Sequence, residues 1–587
     1  MPRPETGHRA ETGPQPGPGA RRVLILCTIG VLLAAADTYV IVLALPDMMV
    51  GVGLDADELQ RAAPLVSMFL LGYVVVLPLA GRVSDVAGRL PVVVGALVVF
   101  AAGSLVTASA GGLAEAVTGR FLQGAGGGAL VPVTLALVAD LWPPERRGLP
   151  LGLVGAVQEL GSVLGPLFGA AVLALADWRA IFWINVGIGL VLVAGSAAGR
   201  RPAAEHGTVH RRDVSGALLA AATAVAAGLA VSRPAALERS VTWGELLVPT
   251  VGERAWTSPL ALAAFALTAG FVVRELMAAR PLVNVRRLPA VLRAADLPGA
   301  LLLGTALGCV VLTFAVADPA AELIASSGPW LLLAAVVALA GFGWRQRHAR
   351  SPLVPVETVR ARPAWGSLVV SLFVGAALVA VVVDVPILAR TVVEGADQLD
   401  AALVLLRFLI ALPVGAVLGG WLIRSVSPVP VAAVGMVLAT AGLAVMATWS
   451  VGSLDGLTDD VVLAVTGFGF GLAVAPVNAA LLAATPRSSH GVASALLVVA
   501  RMIGMLAGLS ALTAIGLRRL YSVQADIASP TVSCPTSPTD CPVYDDAVRA
   551  AIVEQLQATF TGAAVCAAVA VLATLLLRRA AQPAALG

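Results

Sequence analysis

A long series of apolar segments restricts the fold of this chain more than any other feature. Most segments have about 20 residues or more, the length of helix that crosses the hydrocarbon core of a bilayer. Only 12% of the 587 residues are charged and 58% are hydrophobic. No series of ten-residue alternating segments, the signature of a membrane β-barrel, is found. The sequence therefore predicts an all-α polytopic membrane protein.

The apolar runs form groups of six, four and six. They lie at about 23–46, 62–81, 90–110, 113–141, 150–175, 179–199, 214–232, 258–278, 296–317, 329–344, 364–389, 401–424, 429–449, 460–484, 491–517 and 551–577. We therefore expect about 16 transmembrane helices. The predicted domains are a disordered cytoplasmic tail (1–22), an N-terminal six-helix bundle (23–199), a linker with two transmembrane hairpins (200–363) and a C-terminal six-helix bundle (364–587).

Arginine placement predicts the orientation. All 38 basic residues are arginine. With the N-terminus inside, the arginine clusters at 146–147, 200–212, 274–293 and 345–362 are cytoplasmic, as the positive-inside rule requires. We expect a plasma (inner) membrane protein with both termini in the cytoplasm.

The linker contains two similar segments. They are VRELMAARPLVNVRRLPA (273–290) and WRQRHARSPLVPVETVRARPA (344–364), each following an apolar run. Duplication of one hairpin with its basic tail explains this similarity; a chance likeness between basic amphipathic tails is the alternative.

The fifth apolar run combines a packing ridge with an acid. Gly161, Gly165 and Gly169, with Pro166, are spaced for close helix approach in lipid. Glu159 would cost about 2.5–3.5 kcal/mol at mid-membrane depth unless it is paired or hydrated. Arg501 lies at a matching depth in its own run, about 14 Å from the inner end. We predict a Glu159–Arg501 pair that opens in another conformation; a permanent salt bridge is the alternative.

Three further features are predicted from position. Asp37 has no arginine of obvious matching depth, and a lone membrane acid favours its protonated form, so it is the first choice for a proton carrier; a hydrogen-bonded helix kink is the alternative. Asp384 and Arg407 are a second candidate ion pair, with a structural role favoured. Cys534 and Cys541 are expected outside the cell and could form a disulfide or remain two free thiols.

The turn after the second run carries a charged motif. Gly81-Arg82-Val83-Ser84-Asp85-Val86-Ala87-Gly88-Arg89-Leu90-Pro91 places two glycines around an acid and two arginines. This motif resembles motif A of the major facilitator superfamily, in which the aspartate meets a neighbouring helix end and holds the inward gate shut. Leu418 to Pro430 resembles a second copy that has lost the acid. Asp140, at the end of the fourth run, can reach the motif A arginines.

Other stretches resemble the same superfamily. Arg120 to Gly128 resembles motif B, whose arginine the family links to proton coupling, and the glycine ridge with Pro166 resembles the antiporter motif C. Asp37-Thr38-Tyr39 and the junction Asp177 to Asn185 resemble the drug:proton antiporter-2 group. The implied fold is two six-helix bundles around a central cavity.

Several strings resemble mycobacterial-type triacylglyceride and lipoglycan exporters more closely. They are DTYV (37–40), QELGSVLGP (158–166), FLIALPVGAVLGGW (408–421) and VVARMIGML (498–506). The resemblance implies that Asp37, Glu159, Arg501 and Asp85 are the functional set. Those relatives have 14 spans and a longer loop between the ninth and tenth core helices. The short segment 449–460 argues against cargo transfer to an extracytoplasmic lipid-carrier lipoprotein.

The sequence therefore predicts a proton-coupled antiporter that exports lipophilic cargo, such as lipid or lipidated glycan, by alternating access. A multidrug efflux pump is the alternative, and a non-transporting membrane sensor is a third hypothesis. No membrane histidine, P-loop or nucleophile pattern indicates an enzyme. No metal site, cofactor or nucleic-acid partner is expected, and the proton gradient would supply the energy.

Overall fold

The computed structural model describes residues 18–578, apart from 55–58, 199–213, 233–236, 238, 241, 249, 251–256, 279–284, 316–326, 393–397, 455 and 535–540. Within these residues it has sixteen helices of 19 residues or more and no strand. They are α1 (Pro18–Gly51), α2 (Leu59–Ala87), α3 (Arg89–Ala108), α4 (Leu113–Leu141), α5 (Gly148–Leu173), α6 (Arg179–Ala198), α7 (Val214–Ser232), α8 (Pro259–Met277), α9 (Leu297–Ala315), α10 (Gly328–His348), α11 (Arg362–Val392), α12 (Gln398–Leu422), α13 (Pro428–Met446), α14 (Leu457–Ala484), α15 (His490–Gln524) and α16 (Pro542–Ala573).

The all-α membrane class predicted from the apolar runs is confirmed. Among the described residues, twelve helices are long and apolar enough to cross a membrane. The number rises to thirteen if the short helix Leu288–Ala294 and the following helix, bent by 65°, form one span. The predicted count of about 16 spans stays a prediction. The predicted tail 1–22 is too long at its end, because α1 begins at Pro18.

Helix α4 lies at the centre of the bundle formed by α1 to α6. It packs closely against α2 and α3 because glycines take the contact positions. A Cβ atom on Gly124 would lie 1.9 Å from the carbonyl oxygen of Phe69, and one on Gly126 would lie 2.4 Å from the backbone nitrogen of Phe100. Small residues therefore allow the backbones of this bundle to touch.

The bundle formed by α11 to α16 is built in the same way around α14. This helix packs against α12 and α13. A Cβ atom on Gly467 would lie 2.1 Å from the carbonyl oxygen of Phe408, and one on Gly469 would lie 2.6 Å from that of Gly435. A large apolar core, including the fully buried rings of Phe408, Phe470 and Phe560, fills the space between these helices.

The linker forms two helical hairpins, α7 with α8 and α9 with α10. Helix α9 also packs against α2 and α15, one helix from each bundle. An arginine near the end of each hairpin reaches back to its beginning. Arg274 donates to the hydroxyl of Ser215 at 3.0 Å, and Arg345 donates to Asp296 at 2.9 Å. The string Asp-x-x-Gly-Ala-Leu-Leu also occurs twice, at 213–219 and 296–302. The duplication of the hairpin stays a prediction.

Helices α15 and α16 are longer than a bilayer requires. Their 35 and 32 residues correspond to about 52 and 48 Å of helix, against a hydrocarbon core of about 30 Å. A salt bridge of 2.6 Å between Arg519 and Glu554 joins them in their distal parts. Residues 518–524 of α15 and 542–550 of α16 lie beyond the predicted apolar runs, and residues 525–541 connect the two helices.

Candidate functional site

A salt bridge joins the two bundles near the middle of the molecule. Arg501 of α15 donates from Nη2 to a carboxylate oxygen of Glu159 on α5. The Glu159 side chain is 8% exposed and that of Arg501 is 16% exposed. We call this pair the bridge. The structure thus brings together Glu159 and Arg501, which were predicted to pair because they lie at the same depth.

The bridge lies beside a central cavity of about 270 Å³. Helices from both bundles line this cavity, and Met502, Met505 and Phe408 are typical of its walls. Its lining is apolar except for Thr38, Tyr73, Gln158, Glu159 and Arg501. Such a space suits a lipophilic molecule with few polar groups.

Asp37 lies in a buried polar cluster instead of facing the cavity alone. Arg120 donates to its carboxylate at 2.6 Å, and Asn185 donates to the same carboxylate at 2.6 Å. Gln123 accepts from Arg120 at 3.2 Å and donates to Ser104 at 2.9 Å. The side chains of Asp37 and Arg120 are both 0% exposed.

The interpretation of Asp37 as a lone membrane acid is therefore wrong. Counting residues along a helix gives the height of a Cα atom, whereas an arginine head group lies several ångströms away from its Cα. The guanidinium of Arg120 also lies 4.4 Å from the ring centre of Phe69, a cation–π contact. Asp37 is not among the residues that line the central cavity, whereas Glu159 lies at its wall.

The motif A residues close one end of the molecule, which we call the motif A end. Arg89 donates to Asp85 at 2.5 Å and to Asp140 at 2.9 Å. The carboxylate of Asp85 also accepts from the backbone N–H groups of Gly491 and Val492, at 2.9 and 3.1 Å. These groups belong to the first turn of α15, where the helix dipole favours a negative charge. Asp85 of one bundle therefore binds a helix N-terminus of the other.

Glycines allow the bundles to meet at the motif A end. A Cβ atom on Gly81 would lie 2.4 Å from the carbonyl oxygen of Gly491, and one on Gly148 would lie 2.3 Å from that of Gly420. Gly88, the second motif A glycine, has a φ of 91°, which favours glycine and allows the sharp turn from α2 to α3.

The predicted glycine ridge of α5 packs against α1. A Cβ atom on Gly161 would lie 2.4 Å from the Cβ of Ala35, and one on Gly165 would lie 2.4 Å from the carbonyl oxygen of Ala36. Gly169 meets Val40 in the same way. The ridge thus holds α5 against the part of α1 that carries Asp37. The side chain of Pro166 lies outside the described residues.

The predicted Asp384–Arg407 pair does not form. Arg407 donates instead to Asp460 at the start of α14. Asp384 is 8% exposed and packs within α11 without a salt bridge to any described residue. The prediction compared neighbouring spans only, and Asp460 comes from a helix that is further along the chain but adjacent in space.

Cys534 and Cys541 form a disulfide in the structure. The described residues include no group of three or more histidine, cysteine, aspartate or glutamate side chains arranged to hold a metal ion.

The sequence does not predict three parts of this site. It indicates no role for Gln123 or Asn185, although both lie in stretches that resemble motifs of the superfamily. It also does not show that the first turn of α15 is the partner of Asp85. A charge motif shows which residue is unusual, but its partner depends on which helix end lies opposite.

Comparisons with known proteins agree with this architecture. A model of the major facilitator superfamily matches residues 27–345. The chain is 35% identical over 525 residues to a triacylglyceride transporter of Mycolicibacterium hassiacum, a match that spans 88% of this chain and 82% of the relative. The chain belongs to the major facilitator superfamily. The resemblance seen in the motifs is confirmed.

Other members of the superfamily are also similar. A triacylglyceride transporter of Mycobacterium tuberculosis is 34% identical over 532 residues, with 87% of this chain and 85% of the relative covered. The crystal structure of the human organic anion transporter MFSD10 shares the fold, with a TM-score of 0.52 and 14% identity over 96% of this chain and all of that chain. The superfamily and these relatives are transporters, so this chain is a membrane transporter and not an enzyme.

Proposed function

We propose that the chain is a proton-coupled antiporter that exports a lipophilic cargo, of which a triacylglyceride is the first candidate. The observation that carries the proposal is the bridge. It joins the two bundles at the wall of an apolar cavity that spans both. The names of the two mycobacterial relatives support the cargo class.

Protonation of Glu159 would release the bridge. A neutral carboxyl loses its Coulomb attraction to Arg501, and in a medium of low dielectric this attraction is large. The balance between conformations would then shift, because the pair that stabilises one of them has been removed. Alternating access by rocking of the two bundles follows the general pattern of such transporters.

Glu159 replaces Asp37 as the proposed proton carrier. Glu159 borders the cavity, whereas Asp37 is fully enclosed and holds Arg120 in place. Asp37 would act by keeping α1, α4 and α6 in one arrangement.

Glu159→Gln tests the proposal. We expect it to lower triacylglyceride efflux driven by an imposed pH gradient in proteoliposomes at least tenfold, because the amide cannot exchange a proton. Gradient-free exchange of the same labelled lipid should continue. Glu357→Gln, at an exposed position of the linker, is the matched control. Undiminished gradient-driven efflux by Glu159→Gln would contradict proton coupling through this residue.

A multidrug pump is the second candidate, and the acid in the cavity wall favours it. A carboxylate in an apolar space can bind a cationic amphiphile. Efflux of a cationic dye that exceeds lipid efflux in the same vesicles would favour this alternative. Equal rates with and without a gradient, for both probes, would contradict active transport.

Transfer of cargo to a lipid-carrier lipoprotein is not part of the proposal. The connection between α13 and α14 runs only from Ala447 to Gly456 and offers little surface. We propose the plasma membrane as the site of action, with the motif A end facing the cytoplasm.

A further inference from the structure

A second, smaller chamber lies next to the bridge. Its volume is about 50 Å³, and Gln158 and Arg501 line both this chamber and the central cavity. Five helices of the two bundles surround it, namely α4, α5, α11, α14 and α15. Most of its wall is apolar, with polar groups from Gln158, Ser371, Asn478 and Arg501.

The chamber lies between the bridge and the motif A end. Asn478 is six residues from the end of α14, or about 9 Å along the helix axis, whereas Arg501 is eleven residues from the start of α15, or about 16 Å. Both helix ends belong to the motif A end. A proton that leaves Glu159 in that direction meets this chamber first.

Asn478 has an unused hydrogen-bond acceptor. Its side chain is 8% exposed, and its amide nitrogen donates to the carbonyl oxygen of Val474 at 2.9 Å. The side-chain oxygen Oδ1 is buried and accepts no hydrogen bond from any described residue. Leaving a buried acceptor unsatisfied is unfavourable, so a buried amide in this position indicates a partner other than a side chain.

A water molecule has the size and chemistry of that partner. A chamber of about 50 Å³ has room for at least one water, since a water needs about 10–15 Å³ of such space. The hydroxyl of Ser371 donates to the carbonyl oxygen of Leu497 at 3.0 Å and keeps its lone pairs for a water donor. Asn478 and Ser371 therefore offer two acceptors to the same small space.

We infer that this chamber is a water-binding site, held by Asn478, through which protons pass between Glu159 and the motif A end. The inference rests on the proposed proton coupling. When Glu159 is protonated, Arg501 is released and the carboxyl opens to the chamber. The O–H bond of the carboxyl then breaks, the proton binds a water oxygen, and the carboxylate that remains pairs with Arg501 again. Asn478 is thus a positioning residue, because it orients the water and does not itself carry the proton.

Two substitutions whose side chains are nearly isosteric with each other, threonine and valine, test the role of Asn478. Threonine stands at the corresponding place of α4, where Pro132-Val133-Thr134 repeats the pattern of Pro476-Val477-Asn478. Asn478→Thr keeps an oxygen acceptor. Asn478→Val places a side chain of the same shape as threonine there, without the acceptor. We expect Asn478→Val to lower gradient-driven triacylglyceride efflux at least tenfold with gradient-free exchange unchanged within twofold. Asn478→Thr should retain efflux within threefold of the unmodified protein.

Radiolytic labelling in ¹⁸O water gives a direct readout of the site. The unmodified protein should incorporate the label at Leu497 and Val474, which line the chamber, and Asn478→Val should lose it. Absence of label in the unmodified protein would overturn the water site. Equal loss of efflux in the threonine and valine variants would overturn the positioning role, since it would show a packing effect. If Glu159→Gln retains gradient-driven efflux, the proposed function fails, whereas the labelling result still decides the water site.

Discussion

At the residue scale, the molecule holds two of its membrane acids, Asp37 and Glu159, in different ways. Asp37 is enclosed by Arg120, Gln123 and Asn185, whereas Glu159 has one arginine and a cavity beside it. A carboxylate with several fixed donors is stabilised as an anion. A carboxylate at a cavity wall can exchange an arginine partner for a proton. A carboxylate therefore lies in an enclosed polar cluster in one place and at a cavity wall in the other.

Asp37→Asn should destabilise the protein without removing the bridge. It leaves the guanidinium of Arg120 buried without its counter-charge, which typically costs about 3–5 kcal/mol. We expect a clear fall in melting temperature in detergent. Asp526→Asn, at an exposed position, is the control and should have little effect. Replacing Arg120 by glutamine in the same chain should recover part of the loss, and an unchanged melting temperature for Asp37→Asn alone would contradict the structural role.

The partners of these acids could be predicted only in part from the sequence. Glu159 and Arg501 extend toward each other from helices of different bundles, and equal depth was sufficient to pair them. Asp37 and Asp384 show the limit of depth alone. Arg120 contacts Asp37 because its side chain is long. Arg407 pairs with Asp460, which lies on a helix that the sequence does not show to be adjacent.

At the element scale, apolar runs located the helices but not their ends. Hydrophobicity reports contact with lipid, whereas a helix continues as long as its backbone hydrogen bonds continue. Helix α1 therefore begins at Pro18, and α15 and α16 extend beyond their apolar runs. The glycine ridge was visible in the sequence because its spacing is periodic. Its partner on α1 was not, because small residues leave no matching signal.

Gly81→Ala should separate the bundles at the motif A end. The added methyl group would lie 2.4 Å from the carbonyl oxygen of Gly491, so the two backbones must move apart. We expect a longer distance between spin labels at the exposed positions Val86 and Ser488, with the free cysteines replaced. Gly187→Ala is the matched control, since nothing lies within 4 Å of its added carbon. The same label distance in both variants would show that this crossing tolerates a side chain.

At the scale of the whole molecule, the described contacts place the closed end and the cavity on opposite sides of the bridge. Asp85 binds the first turn of α15, and the bridge follows about 16 Å further along the same helix. Helix α15 therefore connects the closed end with the candidate proton site. Linker helix α9 packs against both α2 and α15, so it contacts the two helices that meet at this end.

Asp85→Asn should shift the whole molecule toward a state that is open at the motif A end. Two hydrogen bonds from helix N–H groups to a charged acceptor become weaker, at about 1.5–3 kcal/mol for a bond to a charged group. We expect a second, longer population in the same spin-label distance. Asp140→Asn should have a smaller effect, because Arg89 keeps its bond to Asp85. Equal distance distributions for Asp85→Asn and the unmodified protein would contradict the assigned closing role.

The two glycine contacts between the bundles at the motif A end differ in the interactions that keep them closed. Beside Gly81 and Gly491, a carboxylate meets a helix N-terminus, whereas beside Gly148 and Gly420 the motif copy has no acid. Removing the charge of Asp85 weakens its attraction to the helix N-terminus and leaves backbone packing unchanged. Asp85→Asn should therefore loosen the α2–α15 side before the α5–α12 side. The closed end would then open in two stages. The contact between Gly148 and Gly420 would act as the hinge while the contact between Gly81 and Gly491 separates.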